Sequence, residues 1–253
     1  MKELSLEEKF ARIKDLRPID DVFFEVLASD IYVCQEILQT ILEDKKLTVA
    51  DVIVQSSERN LYGRSVRLDA LCTLGNGTKC NIEVQRSDND DHLKRARFNA
   101  SSITVKESNV GEKFDDILDL YIVYISEFDF LKSNLTIYHL DKVIRENKVV
   151  VNDGLHEIFV NTTIDDGSDI AELMSCFTKK EVNDSKFPNL TRKVTELKST
   201  EGGASAVCKV MEQYIAESKL EQLVELVKEN LLSIANAALK AGMTEEEFKK
   251  LIK

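Results

Sequence analysis

The sequence contains little proline and glycine and no long hydrophobic run. Two of its 253 residues are proline and nine are glycine, a composition that argues against a disordered or low-complexity chain. No stretch of about 18 apolar residues occurs, so we predict no transmembrane helix and no membrane partner. The N-terminal sequence MKELSLEEKF lacks the apolar core of a signal peptide, and we therefore expect a cytoplasmic location.

Histidine and cysteine are few and are not arranged as metal-binding motifs. The chain has three histidines and five cysteines, with no CxxC pair and no zinc-like spacing. We expect the histidines to be structural. Cys72 and Cys80 are predicted to face each other on the buried side of a hairpin, and in a reducing cytosol we expect packed thiols rather than a disulfide.

The remaining composition is that of an ordinary globular protein, but its charge is uneven. Apolar residues make up 43% and charged residues 31%, in a length that fits one medium domain plus an appendage, or two small domains. The formal net charge of −11 is unfavourable for contacts with nucleic-acid phosphates. Residues 59–106, however, hold nine lysines and arginines against five acidic residues, so one region of the chain is basic.

The clearest pattern lies between Arg64 and Arg86. The stretches RSVRLDALCTL and TKCNIEVQR alternate between apolar and polar residues with the period of half-buried strands. The intervening GNG predicts a three-residue hairpin loop that pairs Leu74 with Thr78, because a two-residue turn would place apolar residues opposite polar ones. The first strand is then predicted to turn these residues to one buried face: Val66, Leu68, Ala70, Cys72 and Leu74.

This register places two acidic residues together on the opposite face. Asp69 is predicted to lie directly opposite Glu83, and Arg67 opposite Gln85. Directly opposed side chains have Cβ atoms roughly 5 Å apart, and like charges at that separation destabilise the pair. A hard divalent cation such as Mg²⁺ would compensate the two carboxylates. Alternatively, basic neighbours neutralise them in a surface charge ladder: Arg64, Arg67 or Lys79.

The spacing of these residues resembles a known motif. Asp69, thirteen intervening residues and Glu83-Val84-Gln85 resemble the D…ExK motif of the PD-(D/E)XK phosphodiesterase superfamily, with glutamine in place of the commoner lysine. The surrounding sequence more specifically resembles the PD-(D/E)XK nuclease family transposases, bacterial proteins grouped with the recombination-promoting nucleases. The stretches that carry this resemblance are RPIDDVFFEVL, RLDALCTLGNGTKCNIEVQ, KRARFNAS, DLYIVYISEFD and LTIYHLDKVI.

The resemblance implies an α/β fold with a restriction-endonuclease-like mixed central sheet flanked by helices. A C-terminal helical extension is expected to follow it. We predict an N-terminal lead-in at residues 1–17, a nuclease-like domain at 18–201 and the helical extension at 202–253. The boundary between the last two is placed at Gly202-Gly203, where a break in the chain is expected.

The resemblance also implies a Mg²⁺-dependent DNA endonuclease, with Mn²⁺ as an alternative ion, that promotes recombination or mobile-element processing. Asp69 and Glu83 would hold the metal, with the Val84 carbonyl as a backbone ligand. Gln85 takes the position of the lysine; it can orient water by hydrogen bonding, but it cannot act as a cation. Asp21 matches the aspartate on the family's first helix and would join the metal site. Alternatively, Asp21 is a first-turn acid favoured by the helix dipole.

The basic segment KRAR matches the family's basic helix. Lys94, Arg95 and Arg97, together with Arg67, are predicted to contact DNA phosphates; alternatively, KRAR forms a solvated helix face. The helix is expected to begin after an N-cap at Asn89. It is also expected to place His92 on its surface and to turn these residues inward: Leu93, Ala96, Ala100 and Ile103.

The C-terminal region is predicted to be helical throughout, from Ala204 to Leu239. An apolar stripe along it contains Leu220, Leu223, Val224, Val227, Leu231 and Ile234. This stripe would either pack on the core or form a homo-oligomer through a partner helix. Two alternatives to an enzyme remain open at this point: a catalytically inactive nuclease-fold protein that binds DNA or assembles, and an assembly or regulatory protein that does not touch nucleic acid.

Overall fold

The computed structural model describes residues 4–58, 66–88 and 91–252, so Arg64 and the predicted N-cap Asn89 lie outside the described residues. Its helices are α1 (Leu6–Ile13), α2 (Asp21–Ala28), α3 (Ile31–Ile41), α4 (His92–Glu107), α5 (Asp169–Phe177), α6 (Pro188–Ser199), α7 (Glu201–Lys228), α8 (Ile234–Ala241) and α9 (Glu245–Ile252). Its strands are β1 (Val49–Glu58), β2 (Val66–Leu74), β3 (Lys79–Gln85), β4 (Leu120–Ser126), β5 (Ile137–Leu140), β6 (Lys142–Val143), β7 (Val150–Val151) and β8 (Leu155–Asn161).

A six-stranded mixed sheet forms the centre of the fold. Its strand order is β1-β2-β3-β4-β8-β5, and β6 and β7 form a separate two-stranded hairpin. The pairs β1–β2, β2–β3 and β8–β5 are antiparallel, whereas β3–β4 and β4–β8 are parallel. The mixed sheet flanked by helices, predicted from the family resemblance, is therefore confirmed.

Helices cover one face of this sheet and build the main core. Helices α2, α3, α5 and α6, together with the first part of α7, place apolar side chains against the strands. Local capping fixes several helix starts: Asp30 accepts a hydrogen bond from Tyr32 N at the start of α3, and Ser168 accepts one from Ala171 N at the start of α5. All five cysteines are buried, and none forms a disulfide. Cys72 lies opposite Cys80 in the β2–β3 register, as predicted.

Helix α4 covers the other face of the sheet. Its Ala96, Ala100 and Ile103 pack with Leu71 of β2 and Tyr124 of β4 in a second apolar cluster. Because both faces are covered, β3 is buried along nearly its whole length, and the expectation of a half-buried strand is wrong for it. Its polar residues therefore need partners inside the protein.

The orientation of α4 differs from the prediction at its start. The N-cap is Asp91, and Leu93, expected to point inward, is 44% exposed. His92 is buried instead, because it lies one turn before the inward-facing Ala96. There its ring nitrogens lie 3.0 Å from the Tyr124 hydroxyl and 3.0 Å from Asp88 Oδ1. The prediction of structural histidines agrees with this environment for His92.

The C-terminal helices form a small cluster of their own. The predicted continuous helix is wrong, because α7 ends at Lys228, Asn230 adopts a left-handed conformation, and Ser233 caps the separate helix α8. Leu231 is 70% exposed and does not belong to the apolar stripe. The rest of the predicted stripe belongs to one apolar cluster formed by α7, α8 and α9 of the same chain: Leu220, Leu223, Val224, Val227 and Ile234.

Two further findings concern the predicted boundaries. Gly202 and Gly203 lie in the first turn of α7 rather than in a linker, and the chain changes direction at Thr200, which caps α7. The division of the chain at residue 202 stays a prediction. Among the described residues, no helix combines the length and the apolarity that a membrane span requires.

Candidate active site

The predicted hairpin register is confirmed up to the position before the two acidic residues. Leu74 N donates to Thr78 O over 2.8 Å, and Gly77 has the expected positive φ of 89°. The last backbone pair of the β2–β3 ladder is Ala70 with Ile82. Asp69 and Glu83 occupy the next position, where the backbone ladder ends.

Side-chain hydrogen bonds replace the backbone ladder at this position. Val84 N donates to Asp69 Oδ2 over 2.9 Å, while Asp69 N lies 3.4 Å from Glu83 Oε1. The amide of the fully buried Asn81 also donates to Glu83 Oε1, over 2.8 Å. Within the described part of the chain, no hydrogen bond reaches Asp69 Oδ1 or Glu83 Oε2. Each carboxylate is therefore oriented through one oxygen.

Strand β2 is irregular at Asp69. The pairs Val54–Ala70 and Ser56–Leu68 of the β1–β2 ladder are formed, but Gln55 and Asp69, which the same register would pair, are not. Gln55 has a φ of 52°, in the left-handed region.

The irregularity also changes which way β2 turns its side chains. Leu68 packs on the α4 side of the sheet, whereas Ala70 and Cys72 pack on the opposite side. The prediction that Leu68 shares their face is therefore wrong. A regular strand alternates without interruption, and the missing pair at Asp69 breaks that alternation.

Burial and neighbouring negative charges make the two carboxyls weak acids. Loss of solvent raises the pKa of Asp69 to about 7, and the nearby Asp21 charge also raises it, while Arg67 and Arg95 lower it. Burial and the Asp69 charge raise the pKa of Glu83 well above its ordinary value, against the lowering effect of the Asn81 hydrogen bond. Burial thus disfavours the ionised form of both carboxyls, and a bound cation would favour it.

Asp21 lies near this pair without completing a tight cluster. It is the first residue of α2, and burial raises its pKa while Arg86 lowers it. Within the described residues, no three acidic, histidine or cysteine side chains are grouped so that they could hold one metal ion. The structure thus brings Asp69 and Glu83 together, and the metal-binding role of Asp21 stays a prediction.

Gln85 lies at the end of β3, two residues after Glu83 and therefore on the same side of the strand. Its side-chain amide donates to the Ser87 carbonyl over 2.9 Å and remains partly exposed. The roles of Gln85 and of the Val84 carbonyl in catalysis stay predictions.

The basic residues predicted to contact DNA lie in different environments. Lys94 and Arg97 are exposed on α4. Arg95 is partly buried, pairs with Asp91 Oδ2 over 3.2 Å, and its charge lowers the pKa of Asp69 and of Glu83. Its Nε atom is buried and has no hydrogen-bond partner among the residues that the structure describes.

Within the described residues, Arg67 and Lys79 form their ion pairs with acids other than Asp69 and Glu83. Arg67 pairs with Glu217 of α7 and lies 3.9 Å from Glu25 of α2, and Lys79 pairs with Glu107 over 3.1 Å. For these two residues, the predicted alternative of a charge ladder with Asp69 and Glu83 is therefore wrong. The DNA-contacting role of Arg67 stays a prediction, with part of its charge already compensated.

An ion-pair network fixes the start of α2 against the ends of β3 and β4. Arg86, which follows Gln85, pairs with Asp20 over 2.8 Å and with Glu127 over 3.2 Å. Arg17 contacts the same two carboxylates. Sequence reasoning missed this network, and also Asn81, because nothing in the local pattern distinguishes these side chains from ordinary surface residues.

Comparison with known proteins agrees with the geometry. A family model described as PD-(D/E)XK nuclease family transposase matches residues 22–164, which is more than half of the chain. The match begins one residue after Asp21 and contains β1 to β8 with both central carboxylates. No curated protein and no solved structure matches the chain. The match confirms the family resemblance found in the sequence.

Proposed function

Since this chain belongs to the PD-(D/E)XK nuclease family transposases, we propose that it is a metal-dependent endonuclease that hydrolyses DNA phosphodiester bonds. Mg²⁺ is the proposed ion, and Mn²⁺ is the expected substitute. Cleavage of this kind would promote recombination or the processing of mobile elements. The coarser assignment of a nuclease-like or transposase-like function follows from the family.

The meeting of Asp69 and Glu83 at the end of the β2–β3 ladder carries this proposal. Two carboxyls with raised pKa values are unfavourable in an apolar interior unless something compensates them. Each has one oxygen oriented by protein donors and a second oxygen without such a donor among the described residues. Oxygen donors of this kind suit a hard divalent cation.

Asp69 and Glu83 would hold the ion, with Val84 and Asp21 as the proposed additional ligands. When bound, the ion would polarise the scissile phosphate and lower the pKa of an attacking water. The Asn81 amide binds Oε1 of Glu83, so Oε2 would be the oxygen available to a metal ion. Gln85 would orient water by hydrogen bonding, since its amide remains neutral.

Helix α4 would bind the DNA backbone. Lys94 and Arg97 are exposed, and neither forms an ion pair with another described residue, so both can reach phosphates freely. Such contacts position a duplex without reading its sequence. The Arg95 charge acts on both carboxylates, and its buried Nε donor has no partner in the described part of the chain. Arg95 would contact a phosphate near the scissile bond, and Arg67 would do so after exchanging Glu217 for DNA.

The first experiment removes each carboxylate. We expect Asp69→Ala and Glu83→Ala to abolish Mg²⁺-dependent cleavage of plasmid DNA, by at least about a hundredfold, because either change removes a metal ligand. Glu157→Ala is the matched control, since Glu157 is another acid of the same sheet whose pKa is raised by burial. Thermal melting of each variant checks folding. Cleavage at the parent rate by either site variant would refute the site.

A second measurement separates the enzyme from an inactive nuclease-fold protein. Calorimetric titration with Mn²⁺ should show binding to the parent protein and to Glu157→Ala, and no binding to Asp69→Ala. Retained DNA binding without any Mn²⁺ binding would instead support the non-catalytic alternative.

A further inference from the structure

Helix α7 lies outside the matched family segment, yet it reaches the candidate site through Tyr214. Gln55 Nε2 donates to the Tyr214 hydroxyl over 3.1 Å. The Arg67 guanidinium lies over the Tyr214 ring, 4.5 Å from its centre. Glu217, one turn further along α7, accepts a hydrogen bond from Arg67. These contacts tie α7 to Gln55 of β1 and to Arg67 of β2, which lies two residues before Asp69.

Gln55 is the residue that a regular ladder would pair with Asp69. Its left-handed φ of 52° prevents that pairing. Such a conformation is unfavourable for a residue with a side chain, and it persists only where the surrounding structure holds it. Among the described residues, Tyr214 is the hydrogen-bond partner of the Gln55 side chain.

The missing pair determines where the Asp69 backbone points. Leu74 of β2 directs its backbone N–H to Thr78 beside β3, so the even-numbered residues of β2 bond to β3. In a regular strand, the backbone groups of the odd-numbered residues would then point to β1. Asp69 is odd-numbered, but its N–H lies against Glu83 Oε1 and its carboxylate accepts from Val84 N. Both contacts need β2 to leave the regular ladder at this residue.

We propose that Tyr214 is a positioning residue of the site, which holds Gln55 out of the β1–β2 ladder so that Asp69 is turned towards Glu83. Tyr214 does not touch the substrate in this role; it acts through Gln55 and Arg67. The inference rests on the proposed function, because it concerns the same carboxylate pair.

Tyr214→Phe tests the inference, since it keeps the ring beneath Arg67 and removes only the hydroxyl that binds Gln55. We expect the Mn²⁺ dissociation constant to rise about five- to tenfold, the effect of losing one hydrogen bond. The kcat for DNA cleavage should fall by a similar factor, with less than about a twofold change in KM, because the phosphate-binding residues are unaltered.

Tyr138→Phe is the matched control. It also removes a bonded tyrosine hydroxyl, here 2.7 Å from Asp129 in a loop that contributes no proposed ligand. Its Mn²⁺ affinity and kcat should equal those of the parent, even if its melting temperature falls. If loss of any tyrosine hydroxyl had this effect, Mn²⁺ affinity and kcat would fall equally in both variants. That result would overturn the inference.

Gln55→Ala approaches the same hydrogen bond from its other end. It should reproduce the Tyr214→Phe effect, and the double variant should be no worse than either single variant, because only one bond is lost. Additive effects would overturn the inference. If Tyr214→Phe does not fold, the Mn²⁺ affinity of Gln55→Ala decides alone.

Asp69→Ala distinguishes failure of this inference from failure of the proposed function. If Asp69→Ala loses metal binding and cleavage while Tyr214→Phe matches the parent in both, the positioning role is wrong and the proposed function stands. If Asp69→Ala itself cleaves DNA at the parent rate, the proposed function fails, and the inference fails with it.

Discussion

At the scale of single residues, the site depends on how Asp69 and Glu83 share one buried location. Each has one oxygen engaged by protein donors, and each has its pKa raised chiefly by loss of solvent. The carboxyl groups therefore carry a cost in the metal-free protein that a bound cation would remove. Proteins tolerate a local cost in stability of this kind at functional sites.

Asp69→Asn should stabilise the metal-free protein at high pH. With a pKa of about 7 in the folded state, Asp69 binds more protons when folded than when unfolded, so the free energy of unfolding falls as the pH rises from about 4 to about 7. Asparagine removes this dependence and can still accept the Val84 N–H bond. We expect a gain of roughly 0.5–1 kcal/mol at pH 8.

Urea unfolding in EDTA at pH 5 and at pH 8 measures this effect. The gain from Asp69→Asn should be smaller at pH 5, where the parent carboxyl is largely protonated. A loss of stability at pH 8 would show instead that the Asp69 charge contributes to the fold through its basic neighbours.

At the scale of the elements, α4 joins the buried site to an exposed basic surface. One side of the helix packs Ala96, Ala100 and Ile103 on the sheet, while Lys94 and Arg97 point to solvent. Arg95 lies between the two sides. The same helix can therefore bury the carboxylate face of β3 and present cations beside it, which offsets the negative charge of the whole chain in this region.

Lys94→Ala combined with Arg97→Ala should weaken DNA binding without changing Mn²⁺ affinity. Each lost phosphate contact should reduce the slope of log affinity against log salt by about 0.9. The control is Lys240→Ala with Lys249→Ala, two exposed lysines of the C-terminal cluster. Fluorescence anisotropy with a labelled duplex between 50 and 200 mM salt measures both, in the range where this dependence is large. Equal slopes in the two double variants would contradict the assignment of α4.

At the scale of the whole molecule, α7 connects the main core to the C-terminal cluster. The first part of α7 packs Ala204 and Val207 into the main core, and its last part packs Leu223 and Val227 against α8 and α9. Tyr214 lies between these two parts. Residues of the same chain cover the predicted stripe. Homo-oligomerisation through this helix stays a prediction.

Phe248→Ala should loosen the C-terminal cluster before the main core. Phe248 is fully buried there, and loss of a buried phenylalanine costs roughly 3 kcal/mol. Hydrogen exchange should accelerate in α8 and α9 and remain slow in β4, because the affected contacts belong to one cluster. Phe114→Ala, at a phenylalanine that is 90% exposed, is the control. Equal acceleration in β4 would show that the two cores unfold as one unit.

The sequence by itself determined the hairpin and its register. Alternation within each strand and the three-residue GNG loop are local properties. Together they predict that Cys72 pairs with Cys80 and that Asp69 and Glu83 share the position after Ala70 and Ile82. The family motif then identified the same two acids. These features lie within some twenty residues of the chain, so no distant contact is needed to define them.

Only the tertiary structure decided how that position is built. The burial of both faces of β3, the break in β2 at Asp69 and the ion pairs of Arg67 all depend on residues far away in the sequence, as the contact between Arg67 and Glu217 illustrates. Alternation indicates which residues share a strand face, but it does not indicate what covers that face. For this reason Asn81 and Tyr214 carry no signal in the sequence, although one orients Glu83 and the other holds Gln55 beside Asp69.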